Sequence, residues 1–341
     1  MRPNLPTPAL ITEARAQIRV GSKNRALDLL IQVAIFVLIF LVIGVAESVI
    51  AGIALIPMML LDGSFIRQMG TSLGAGQTAS SPDELMQATL AIMQSPQMMI
   101  ISLFTTVIAI VVVLVYCRFI EKRRLATLGL RRGHAVREYL VGLAIGTCMF
   151  SAVVAIGLAT GTMTYAGLAG GSMVLILLLL VGFLIQSMSE ELLLRGYFLV
   201  SLANRQGLTV AIVISSCFFG LLHIFNPGVT PLAIVNIILF GLFAGVFLVK
   251  RGNIWSIGAI HAAWNFSQGG IFGINVSGTV QSESIFAFTP VAGADLISGG
   301  SFGMEAGLAA TAVLVVALMA ALLMKSRTPG TPATMSESSS P

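Results

Sequence analysis

The chain alternates between long apolar runs and short polar connectors, and the runs have the length of helices rather than strands. A membrane-spanning helix needs about 20 mostly apolar residues. Runs of this kind are Leu27–Leu61 (which carries Glu47), Met98–Tyr116, Tyr139–Leu158, Met173 to about Asn204, Leu208–Phe225 and Leu232–Val249. A shorter stretch, Ile254–Phe266, follows, and Ala306–Met324 comes last. The pattern predicts an all-α fold, a polytopic membrane bundle of about eight transmembrane helices. The first run is too long for a signal-peptide core and reads as a retained anchor.

The polar segments set the organisation around these helices. Residues 1–25 form a basic N-terminal segment. Residues 26–160 hold the N-terminal helices, with an outer loop at 62–97 and a basic loop at 117–138. Residues 171–268 form a compact core, 269–304 a Gly-rich outer loop, 305–325 the last helix, and 328–341 a Pro, Ser and Thr-rich tail expected to be disordered. Gly142 with Gly146, and Gly241 with Gly245, are small-xxx-small pairs that let helices approach closely.

Composition agrees with a membrane protein. Of 341 residues, 56% are hydrophobic and only 10% charged, too few charges to cover a soluble surface. The net charge of +5 is small and its carriers lie between apolar runs, which argues against nucleic-acid binding. Cys117, Cys148 and Cys217 all sit in apolar segments without paired spacing, so they read as small buried hydrophobes. The basic residues also test the topology. With eight crossings, 18 of the 19 Lys and Arg residues fall on one side and only Arg67 on the other. The positive-inside rule makes that side the cytoplasm and places both termini there.

Ionisable residues inside an apolar helix cost about 2.5–3.5 kcal/mol each on insertion scales. The densest group is Glu190-Glu191-Leu192-Leu193-Leu194-Arg195. Glu191 and Arg195 are four apart on one helix face and are expected to pair as a buried salt bridge. Glu190 is turned about 100° away and is expected to lack a partner on its own helix. Of the three histidines, His134 lies in the basic loop and reads as solvated. His223 and His261 are expected within apolar helices, His261 one turn before Asn265. Counted from the turn at Asn204 to Gly207, Glu190 and His223 lie at the same depth, roughly 21–23 Å along antiparallel neighbours. They can therefore face each other, with His261 and Asn265 at overlapping depth.

Such a cluster suits hydrolysis. A desolvated glutamate is a stronger base toward water, histidine can hold the water or take a proton, and His or Asn donors can stabilise an oxyanion. Glu190, His223 and His261 equally suit zinc, because catalytic zinc sites use three protein ligands and a water. The residue types do not decide between a divalent metal and no metal. Gly299-Gly300-Ser301-Phe302-Gly303 matches the Gly-x-Ser-x-Gly elbow but lies in a Gly-rich loop without the strand-turn-helix setting that motif needs.

At these residues the sequence resembles the CPBP family, the type II CAAX prenyl endopeptidase and bacteriocin-processing membrane proteases. Glu190-Glu191-x-x-x-Arg195, Phe219-x-x-x-His223 and His261-x-x-x-Asn265 match that family's three motifs in order, over about Val181 to Ser267. The resemblance implies an intramembrane endopeptidase acting on a membrane-associated protein or peptide. Glu190 and His223 would activate water, His261 and Asn265 would hold the oxyanion, and Glu191, Arg195 and Phe219 would support them. It also implies an integral protein of a bacterial plasma (inner) membrane, with the lipid bilayer and a protein substrate as its partners. Two other readings are an immunity or scaffold member of the same family without proteolysis, and a proton-coupled transporter using the Glu and His residues as a relay.

Overall fold

The computed structural model describes residues 9–18, 20–61 and 95–326. Most of the 62–97 loop, the 328–341 tail and Arg67 lie outside the described residues. The helices are α1 (Ala9–Arg15), α2 (Arg25–Leu61), α3 (Pro96–Thr105), α4 (Val107–Val115), α5 (Ala135–Ala159), α6 (Met173–Glu191), α7 (Leu208–Leu221), α8 (Pro231–Arg251), α9 (Trp255–Phe266) and α10 (Leu308–Leu323). Beyond α6 the chain stays helical, in wider π-type turns over Leu192–Leu199 and a last α turn over Val200–Ala203.

Among the described residues, five helical segments are long and apolar enough to cross a membrane: Arg25–Pro57, Pro96–Ile120, Ala135–Ala159, Met173–Ala203 and Pro231–Arg251. Helices α7 and α10 are apolar but shorter, and α9 has 12 residues. All three pack beside the longer helices, α7 and α10 on α8 and α9 on α5 and α6. The outward faces carry large apolar side chains such as Leu30, Leu38, Val45, Ile53, Val174 and Val316. Apolar surface on this scale is what a helix bundle presents to lipid rather than to water.

Caps and small residues fix where the helices start and how closely they approach. Ser95 and Thr230 each accept a backbone N–H in the first turn of α3 and α8, and each is followed by a proline at the first helical position. Gly252 closes α8 in a left-handed conformation (φ 70°) and lets the chain turn back into α9. The α5–α9 contact depends on Gly142 and Gly146. A Cβ at either would overlap a backbone carbonyl of α9, that of Ser256 or of Ile260. Two glycines one turn apart thus set how near α9, which carries His261, can lie to α5.

The basic segments meet at one end of the bundle. Arg15 of α1 donates to the Ala203 carbonyl at 3.1 Å, and Arg131 pairs with Glu13 at 2.7 Å. Arg123, fully buried, bridges Glu121 at 2.8 Å and Ser201 at 3.0 Å. Arg251 pairs with Glu138, and Lys250 donates to the Met324 carbonyl at 2.8 Å. Helix α1 lies in the basic N-terminal segment, where the sequence pattern predicts no helix; its Leu10, Ile11 and Ala14 are buried, so a short amphipathic turn docks there.

At the opposite end the Gly-rich connector is folded. β1 (Met163–Leu168) and β2 (Phe286–Pro290) pair antiparallel, a two-stranded ribbon inside an otherwise helical fold. Tight turns at Gly300–Phe302 and Met304–Ala306 then lead into α10. Ser301 sits in the first of these turns and lines a separate recess with Asp295, without a strand-turn-helix elbow.

Candidate active site

A cavity of about 350 Å³ is lined by α2, α3, α4, α6, α7, α8, α9, α10 and the connector before α10. Glu190, Phe219, His223, His261 and Asn265 all line it. Glu191 and Arg195 lie behind this lining and are fully buried.

Glu190 does have a partner on its own helix, contrary to the sequence expectation. Gln186, one turn earlier on α6, donates from Nε2 to Glu190 Oε1 at 2.6 Å. The Gln186 Oε1 accepts from Asn265 Nδ2 at 3.2 Å and from the Ser187 hydroxyl at 3.1 Å. The other carboxylate oxygen, Glu190 Oε2, has no hydrogen-bond partner among the described residues. It stands 3.7 Å from His261 Nε2, beyond hydrogen-bond range.

His223 lies just outside its helix. α7 ends at Leu221, and the ring sits in the following turn rather than within an apolar helix as expected. Its Nδ1 lies 2.8 Å from the Phe219 carbonyl oxygen. That oxygen can only accept, so Nδ1 carries the proton and the neutral ring keeps its lone pair on Nε2.

The Glu191–Arg195 pair is present at 3.3 Å with both side chains fully buried. It is not isolated. Glu191 Oε1 also takes His261 Nδ1 at 3.0 Å, and none of the guanidinium nitrogens makes a hydrogen bond among the described residues. Instead the Arg195 guanidinium lies over the Phe219 ring, 4.4 Å from its centroid, where the ring face attracts the cation. Phe219 and Phe240 also flank the His261 ring, at 5.9 and 4.9 Å between centroids. His261 is thus held by a carboxylate at one nitrogen and by two aromatic rings.

Two acidic residues join the cavity from elements that the motifs do not cover. Glu47 of α2 lines it, and its place in an apolar run was its only signal. Glu305 comes from the tight turn before α10, is 8% exposed, and accepts from the Ser277 backbone N–H. Asn236 of α8 fixes the same turn by donating to the Glu305 carbonyl at 2.9 Å. Burial pushes the Glu305 carboxyl above the usual carboxylate range, opposed chiefly by its hydrogen bond with Ser277. Nothing in the local sequence pointed to Glu305, since it reaches the site only through the folding of the connector.

A metal at Glu190, His223 and His261 needs three donors converging on one point. Among the described residues no three His, Cys, Asp or Glu side chains are grouped closely enough to hold an ion.

The fold and the cavity define a polytopic helical membrane protein built around a buried centre of glutamate, histidine and asparagine. Residues 172–267 match the family described as type II CAAX prenyl endopeptidase Rce1-like. The match covers less than a third of the chain, and the family it names is a protease family. Comparison with curated proteins and with solved structures gave no match.

Proposed function

We propose that the protein is an intramembrane endopeptidase that hydrolyses a peptide bond of a membrane-associated protein or peptide. The observation that carries this reading is the unpartnered Glu190 Oε2, which faces a cavity shared with His223, His261 and Asn265. A carboxylate oxygen kept free in an apolar bundle is costly, and a base that must accept a proton from water has that requirement.

In the reaction, water sits between Glu190 Oε2 and the lone pair of His223 Nε2. Glu190 takes its proton as the oxygen attacks the scissile carbonyl carbon, and the carbonyl π electrons move onto oxygen. The resulting oxyanion is met by the second hydrogen of Asn265 Nδ2 and by Nε2 of His261 when that ring holds both protons. Glu190 then returns the proton to the leaving amine as the C–N bond breaks. Arg195 and Phe219 keep Glu191, and through it His261, in place. The basic end of the bundle lies in the cytoplasm of a bacterial cell on this reading, and the substrate enters from the plasma membrane.

Quantitative proteomics of membranes carrying wild-type or Glu190→Ala protein tests the reading. The expected result is uncleaved precursors that accumulate only with the variant. Identical membrane proteomes with equal protein levels would refute proteolysis and leave the immunity, scaffold or transport roles.

A further inference from the structure

Gln186 lies outside the three motifs, yet it is the residue that joins the base to the oxyanion donor. One amide group spans them, with Nε2 on Glu190 Oε1 at 2.6 Å and Oε1 on Asn265 Nδ2 at 3.2 Å. The first contact runs along α6 and the second crosses to Asn265 on α9, beside the separate α6–α9 link between Glu191 and His261. The polarity of the bridge is not reversible. A carboxylate only accepts, so the Gln186 nitrogen must point to Glu190 and its oxygen must point to Asn265. The Asn265 amide is thereby oriented nitrogen-first, and the Ser187 hydroxyl at 3.1 Å reinforces the same Gln186 oxygen.

We infer that Gln186 is a positioning residue for catalysis: it leaves Oε2 as the reactive oxygen of Glu190 and, by accepting one Asn265 N–H, aims the other at the developing oxyanion. The inference rests on the protease reading above. Without Gln186, the Glu190 carboxylate rotates freely and the Asn265 amide is free to flip, presenting an oxygen where a donor is required. Ground-state binding of the peptide does not depend on either group, whereas the transition state depends on both.

The test uses the full chain purified into lipid nanodiscs. Its probe is the quenched fluorogenic peptide that wild type cleaves best in a random decapeptide library, provided Glu190→Gln does not cleave it. Gln186→Met keeps the shape and removes both hydrogen bonds; kcat should fall by about 10- to 100-fold, as for other residues that orient reacting groups, with KM changed by less than about threefold. The loss should be smaller when Gln186→Met is made in an Asn265→Ala background, because part of the effect passes through Asn265. Should Gln186→Met prove unstable, Gln186→Glu retains the shape and the acceptor for Asn265 while setting a second carboxylate against Glu190; it should be at least as slow. Wild-type kcat in either folded variant, a change confined to KM, or full additivity with Asn265→Ala would each overturn the assignment. A library with no Glu190-dependent cleavage would overturn the protease reading and this inference together.

Discussion

A single oxygen of Glu191 serves both Arg195, at 3.3 Å, and His261 Nδ1, at 3.0 Å. The helical i,i+4 pair is therefore also a tertiary link from α6 to α9. Its partner Arg195 has no hydrogen bond among the described residues and relies on Phe219 and on the Glu191 charge. Removing either charge leaves the other uncompensated in a desolvated interior.

Glu191→Gln should consequently lower stability by about 3–5 kcal/mol, the usual cost of breaking a buried pair from one side. Changing both Glu191 and Arg195 to Leu should restore part of that stability without restoring cleavage, because His261 still lacks its acceptor. Melting temperature and cleavage per folded molecule separate the two effects. Recovery of both together would show that Glu191 acts only on Arg195.

Glu190→Gln should keep the fold, since an amide oxygen at position 190 can still accept from Gln186 Nε2. Cleavage should drop by at least about 10²-fold, because the amide is not a base. The check is turnover beside an unchanged melting curve. A folded, active Glu190→Gln protein alongside a folded, dead Glu191→Gln protein would reverse the two assignments.

Gly146→Val tests the helix approach that positions His261. The new side chain would meet the Ile260 carbonyl and the Ala263 methyl across the interface. Overpacking of this kind costs about 1–3 kcal/mol, and α9 should move away from α5. Lower thermal stability with reduced cleavage is expected, whereas Gly133→Val, where a Cβ meets nothing, should change neither.

Glu305 gives a pH dependence of stability. Its carboxyl lies above the usual range because of burial. A carboxyl with a raised folded-state pKa favours folding most when protonated, so its contribution declines as pH rises through the folded value. Relative to Glu305→Gln, whose amide oxygen can still accept from Ser277, the wild type should lose thermal stability as the pH is raised. Melting curves of the two proteins across the acid-to-neutral range provide the comparison, and parallel curves would show no such burden.

The clustering of basic segments at one end of the bundle predicts that both termini share a compartment. Reporter fusions at Met1 and Pro341 should both report the cytoplasm. An external signal from either end would rule out the eight crossings expected from the sequence while leaving the cavity residues where they are.

The sequence by itself determined what depends on neighbours along one helix. Apolar run length marked the five described segments long enough to span, though not the shorter lengths of α7, α9 and α10, and four-residue spacing paired Glu191 with Arg195. The same spacing also connects Gln186 to Glu190, but an uncharged glutamine inside an apolar run carries no signal that sets it apart from its neighbours. Depth counting along antiparallel helices brought Glu190 and His223 to one level, and both line one cavity.

Tertiary structure alone decided contacts that cross from one helix to another. The short end of α7 puts His223 in a turn, and the folding of the 269–304 connector carries Glu305 into the cavity. The docking of α1 onto the basic end and the sharing of Glu191 between Arg195 and His261 arise in the same way. Helical periodicity states which face a side chain occupies, but not which distant face packs against it. That choice is made by shape, through glycines such as Gly142 and Gly146, and by the cost of leaving buried polar atoms without partners.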